Sequence, residues 1–193
     1  MSSPDTDPPP LCDKDRKTLL SLAEQSIRYG LQHHHPLPVD SAAYPPPLQE
    51  PRASFVTLLL QGQLRGCIGH LEATQATVLD VVANAYSAAF EDPRFAALCA
   101  AELPQLEIHI SLLTPAYPLT VASEEELVGM LHPGEDGLIL EEDLHRGTFL
   151  PSVWKQLPEP REFVRQLKLK AGLPAGYWSE KMRVSRYTTE SFP

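Results

Sequence analysis

Cysteine is scarce in this chain: Cys12, Cys67 and Cys99 are widely spaced and make no CxxC pair. An odd, scattered trio is neither a disulfide framework nor a thiolate zinc site, so reduced thiols in a cytoplasm are expected. Positive charge is also short, with 16 Lys and Arg against 25 Asp and Glu and a formal net charge of −9. That field opposes nucleic acid, and no block of Lys and Arg offsets it. Long apolar runs are missing too. The strongest, over residues 55–60, is far too short to span a bilayer. The first ten residues carry Asp5, Asp7 and four prolines, which is not the basic-then-apolar layout of a signal peptide. No P-loop, dinucleotide-type GxGxxG, HExxH, GxSxG or radical-SAM CxxxCxxC is found. The expectation is a cytoplasmic protein with no cofactor and no membrane contact.

What is present is enough apolar sequence for a core, 42% of 193 residues. Residues 1–12 read as a disordered Pro- and Asp-rich arm, and residues 13–193 as one domain. Asp13 can cap a helix over residues 13–29, with Leu19, Leu20, Ala23 and Ile27 as its apolar stripe and Gly30 as its stop. Residues 31–51, with His33-His34-His35 and repeated prolines, form a long Pro- and His-rich loop. Residues 53–60 and 64–70 read as strands joined by a turn at Gln61-Gly62-Gln63. Residues 77–90 are helical and nearly unbroken in apolar content, with Asp80 placed for a capping box. Residues 106–113 alternate as a half-buried strand. Ser123 and Glu126 open a short helix as a capping box, and residues 137–141 and 148–150 suggest a hairpin. A last helix starts near Pro160 and stops at Gly172, and residues 183–189 close the fold as a strand. Strands and helices mix without βα alternation. The class is therefore α+β, mainly an antiparallel sheet flanked by helices.

The candidate site is the segment Leu64-Arg65-Gly66-Cys67-Ile68-Gly69. Glycines at 66 and 69 allow a backbone or a ligand to approach closely. Arg65, two residues from Cys67, would share its strand face and favour the thiolate. Cys67 is thus either a nucleophilic or ligand-contacting thiol or a small packed side chain. His70, three residues on, falls on the opposite face of a regular strand, so a Cys67–His70 dyad is not expected without a bulge at Gly69. Asp92 and Arg94 flank Pro93 after the apolar helix. They form either a charged clamp for a polar ligand or a turn in which Asp92 caps and Arg94 pairs with it. Asp136 reads as turn chemistry and Trp154 as core. The three consecutive histidines rarely converge on one ion, so no metal site is expected, only adventitious Ni²⁺ or Zn²⁺ affinity.

The same hexapeptide carries a resemblance. Together with Ala88-Ala89-Phe90-Glu91-Asp92-Pro93-Arg94-Phe95 it resembles the AMMECR-type family, also called AmmeMemoRadiSam system protein A. Further matching blocks are Gly134-Glu135-Asp136-Gly137-Leu138, Phe149-Leu150-Pro151-Ser152-Val153-Trp154 and Lys170-Ala171-Gly172-Leu173-Pro174 with Trp178. The resemblance runs from Ala53 to Phe192 and leaves out the arm and the histidines. It implies a larger subdomain around an antiparallel sheet with a smaller one beside it, and an accessory or small catalytic component acting with a Memo-like protein and a radical-SAM enzyme. On that reading Cys67 contacts or attacks a polar ligand in a cleft shaped by Gly66 and Gly69. Arg65 and Arg94 hold the ligand's anionic groups, and Asp92 orients Arg94. The alternatives are a non-catalytic protein-binding scaffold and a nucleic-acid-associated regulator.

Overall fold

Leu19, Leu22, Ala23 and Ile27 recur at helical spacing and are buried along the first helix, α1 (Asp13–His33). The computed structural model describes residues 8–193. The first seven residues of the expected arm lie outside that set. Leu11, within the arm, is buried and its N–H donates to Glu190 Oε1. Cys12 rather than Asp13 is the N-cap, with no side-chain cap bond. The helix also runs through Gly30, the expected stop, and ends at His34 with φ 59°. The cause is tertiary: a side chain at position 30 would strike the rings of Tyr86 and Phe90. Gly30 permits a close helix crossing instead of ending the helix.

The Pro- and His-rich connection is more ordered than a plain loop. It holds a 3-10 turn, Ser41–Ala43, capped by Asp40, and a short helix α2 (Pro46–Gln49) that buries Leu48. Strands β1 (Ser54–Leu60) and β2 (Gln63–Gly69) follow, joined at Gln61 and Gly62, both at positive φ. Next come α3 (Thr77–Phe90) and β3 (Leu106–Leu113), at the expected places. Asp80 does not cap α3, whose N-cap is Ala76. It is buried, and its Oδ2 accepts from the Ser54 N–H at 2.9 Å, the Ser54 hydroxyl at 2.6 Å and Asn84 Nδ2 at 2.9 Å. A buried carboxylate requires such donors, and these fasten α3 to the start of β1.

The remaining elements are β4 (Tyr117–Leu119), α4 (Glu124–Met130), β5 (Gly137–Glu142), β6 (His145–Phe149), α5 (Pro160–Lys170), β7 (Arg183–Tyr187) and β8 (Thr189–Phe192). The capping box of α4 is present: Ser123 Oγ accepts from the Glu126 N–H, and Glu126 Oε2 from the Ala122 N–H. The 137–150 hairpin is tighter than expected, since only Asp143 and Leu144 separate β5 from β6. The mixture of helices and antiparallel strands is the α+β class, but the strands form two sheets, in orders β2-β1-β3-β8 and β4-β7-β5-β6. The single closing strand expected over 183–189 is two, one in each sheet.

Two compact units result, one running to Leu113 and including Glu190–Pro193, the other Thr114–Thr189. In the first, α1 and α3 bury Ile27, Val78, Val81 and Ala85 against Val56, Leu58, Ile110 and Leu112 of the sheet. In the second, Trp154 stacks on Phe163 at 3.8 Å, among Leu127, Leu138, Leu140 and Leu167. The fully buried Lys168 there is held by Glu124 Oε2 at 2.7 Å. No helix among the described residues is long and apolar enough to cross a membrane.

At Gly66, β2 lies so close to α3 that a Cβ would overlap the Ala88 carbonyl oxygen. That neighbour is helix backbone and cannot rotate away. Gly66→Ala is expected to cost about 1–3 kcal/mol in urea unfolding. Gly176→Ala, at a position where nothing lies within 4 Å, should change stability by less than about 0.5 kcal/mol.

Candidate functional site

The site begins with an irregularity in the β1–β2 hairpin. Next to the turn, Leu60 pairs with Gln63 and Leu59 with Leu64, but Leu58 pairs with Gly66. Arg65 is therefore an extra residue on β2, a bulge. Continued without it, the register would set Cys67 opposite Val56, which is fully buried on the helix side. With it, Cys67 pairs with Thr57 and Gly66 takes the helix side, against Ala88. A slip of one residue exchanges the two faces of a strand. Here it turns the thiol away from the helices.

On that outer face the Cys67 sulfur lies 3.2 Å from the Thr57 hydroxyl. His109 pairs with Thr57 on the far side, so Cys67, Thr57 and His109 form one row across β2, β1 and β3. Both Cys67 and His109 are half-buried. His70 is not part of the row. Its N–H donates to the Ser54 carbonyl, and its Nδ1 lies 3.8 Å from the buried Asp80 Oδ1. Gly69 sits where a Cβ would meet the Ser54 carbonyl and the Phe55 ring, so it too serves close packing.

Strand β2 is an edge, and its backbone at Cys67 is closed by side chains. Asp92 Oδ2 accepts the Cys67 N–H at 2.9 Å, and Arg94 Nη2 donates to the Cys67 carbonyl at 3.2 Å. The two side chains are themselves joined, Arg94 Nε to Asp92 Oδ1 at 2.9 Å and Nη2 to Oδ2 at 2.7 Å. Asp92 Oδ1 also accepts the Arg94 N–H, completing the turn around Pro93. One carboxylate and one guanidinium thus stand in for a neighbouring strand, a way of blunting an edge. Asp92 is buried, whereas the Arg94 side chain is 54% exposed. The Arg94 guanidinium, and the backbone N–H groups of Cys67 and Arg94, hold the Asp92 carboxyl far below the usual carboxylate range despite its burial.

A second pair fixes the bulge. Arg65 donates to Glu102 through Nε at 2.6 Å and Nη2 at 3.2 Å. Glu102 also accepts the Cys99 N–H at 2.9 Å. These bonds, Arg65 first, bring the Glu102 carboxyl down from 4.5 to about 2. Both guanidiniums lie over the Phe95 ring, Arg65 at 5.9 Å and Arg94 at 5.5 Å from its centre. The structure therefore joins Cys67, Asp92 and Arg94 to one another, while Arg65 pairs with Glu102 and Gly66 packs on Ala88. The sequence reading missed Thr57, Phe95, Glu102 and His109. Glu102 and Phe95 stand in irregular chain with no periodic signal, and Thr57 and His109 align with Cys67 only after the bulge. Asp136 accepts the His132 N–H in its turn, and Trp154 is buried core with its N–H on the Asp136 carbonyl.

Both carboxyls have lower folded than unfolded values, so each adds stability above pH ~4.5 that is lost as the pH falls toward Glu102's value of about 2. Asp92→Asn is expected to cost about 2 kcal/mol at pH 7, with exposed Arg94 limiting the loss. Denaturant unfolding at a series of pH values should show that difference shrinking below pH ~4.

Comparison with known proteins agrees with the fold and covers the site. The AMMECR1 family model matches residues 20–192. A protein of Methanothermobacter thermautotrophicus is 34% identical over 185 residues, covering 95% of this chain and 96% of its own length. A protein of Thermotoga maritima is 34% identical over 179 residues, covering 91% and 95%. The crystal structure of the uncharacterized protein PH0010 from Pyrococcus horikoshii superposes with a TM-score of 0.86 at 30% identity, covering 94% of this chain and 92% of that one. The chain belongs to the AMMECR1 family.

Proposed function

We propose that this protein is a non-catalytic binding component that works with a Memo-like protein and a radical-SAM enzyme, the partners implied by the family resemblance. The observation that carries the first half is the internal pairing of the site's charges. Arg65 is forked onto Glu102 and Arg94 onto Asp92. Each guanidinium gives its Nε and Nη2 to a carboxylate, so a polar small-molecule ligand would have only the Nη1 group of each to bind without displacing one. The thiol meets a hydroxyl rather than an imidazole or carboxylate. An adjacent base is one way to activate a thiol, and Thr57 does not supply one. The hexapeptide then shapes a rigid lip: Leu64 is 44% exposed beside the bulge, and half-buried Phe95 is held under two cations.

A second reading keeps thiol chemistry at Cys67, favoured by its row with Thr57 and His109 on the outer sheet face. One co-purification series separates the two. For a binding component, Leu64→Asp should weaken capture of the partners at least tenfold, while Cys67→Ser leaves both capture and cellular function intact. Iodoacetamide should modify folded Cys67 no faster than the unfolded thiol. Full complex formation with lost function in Cys67→Ser, together with fast alkylation, would establish the thiol reading instead.

A further inference from the structure

The three histidines that end α1 lie outside the hexapeptide region, and consecutive residues on a helix or strand point apart. The backbone here does something else. His34 adopts the left-handed conformation, φ 59°, and its N–H donates to the Gly30 carbonyl at 3.0 Å. Its carbonyl accepts from the Tyr86 hydroxyl of α3 at 2.9 Å. Pinned on both sides, this reversal folds His35 back beside His33. Their ring centres are 6.1 Å apart. Tyr29, one turn earlier, stacks on His33 at 4.0 Å and meets His35 edge-on at 5.1 Å. The two imidazoles therefore share one aromatic support, on an exposed surface.

We propose that His33 and His35 form a two-imidazole site for a late divalent transition ion (Zn²⁺, Ni²⁺ or Cu²⁺), with the remaining positions filled by water. Two geometric facts carry this. With metal–nitrogen bonds of about 2.0–2.1 Å, two imidazoles on one ion have ring centres roughly 4.5 Å apart when cis and 6.4 Å when trans. The observed separation of 6.1 Å falls inside that window. The second fact is the state of His35. Its Nδ1 lies 2.9 Å from the Pro36 carbonyl, which can only accept, so in the neutral ring Nδ1 carries the proton and Nε2 keeps its lone pair. A backbone carbonyl on the far nitrogen is the usual outer partner of a metal-ligating histidine, and fixes its tautomer and orientation. Among the described residues no third His, Cys, Asp or Glu joins the pair. The site is consequently open to solvent and follows the affinity order of nitrogen ligands, Cu²⁺ above Ni²⁺ and Zn²⁺. His34 acts through its backbone.

The test uses the full chain with Cys12→Ser and Cys99→Ser, which removes the two exposed thiols as competing ligands. Calorimetry with Ni²⁺ should find one equivalent bound. His33→Ala and His35→Ala should each lower that affinity at least tenfold, because a chelate is lost. His34→Asn, which tolerates the left-handed conformation, should stay within twofold. Cu²⁺ in place of Ni²⁺ should give an electron paramagnetic resonance spectrum with two imidazole nitrogens. Since all three side chains are exposed, an unchanged melting temperature without metal shows that the variants are folded. Equal, roughly twofold losses for all three, or a largest loss for His34→Asn, would overturn the chelate.

Discussion

The site depends on one extra residue. Arg65 interrupts the β1–β2 ladder, and everything distal to the turn is displaced by one position. That slip lets a glycine, the residue able to accept Ala88's carbonyl at such range, face α3, and it puts Cys67 on the other side beside Thr57. A bulge leaves its own residue unpaired and strengthens local twist, so it persists only where surrounding contacts over-determine it. Glu102 does this directly, holding the Arg65 guanidinium by two hydrogen bonds while its own position is set by the Cys99 N–H.

The second consequence concerns the edge. A bulged edge strand beside an exposed leucine invites pairing with another chain. The Asp92–Arg94 pair answers the free N–H and C=O of Cys67, and its turn is anchored to the end of α3 through the Leu98 N–H on the Ala89 carbonyl. The same charges that look like a ligand clamp in the sequence are thus parts of the scaffold, and Arg94, whose guanidinium remains half in water, gives its Nε and Nη2 to Asp92. On the proposed reading, recognition rests on shape and on the apolar surface around Leu64 and Phe95. This is the basis for proposing a partner-binding role rather than chemistry at the thiol.

Much of the fold is legible from pattern alone. The period-two alternation of β3, the apolar run of α3, the Ser123–Glu126 capping box and the Pro160 start of α5 all lie where local rules put them. The exceptions have tertiary causes. Gly30 reads as a stop until Tyr86 and Phe90 are known to press on it, and Asp80 reads as a cap until Ser54 is known to supply its donors. The strand over 183–189 is one run in sequence, and only the two sheets divide it. At the site, the hexapeptide and the Asp92–Arg94 turn were visible, but a bulge has no signature in a single sequence. The pairing of Cys67 with Thr57, and the claim of Glu102 on Arg65, could not be read before the register was known.

The amide of Cys67 gives the most direct measurement. It belongs to an edge strand and is not bonded to β1, so only Asp92 protects it. Native-state hydrogen exchange by NMR should find it protected to the same order as the ladder amides of β1, because losing it requires the Asp92–Arg94 turn to open. Exchange at the rate of a solvent-exposed edge amide would contradict the account, since the register that turns Cys67 outward would then lack the lock that holds it.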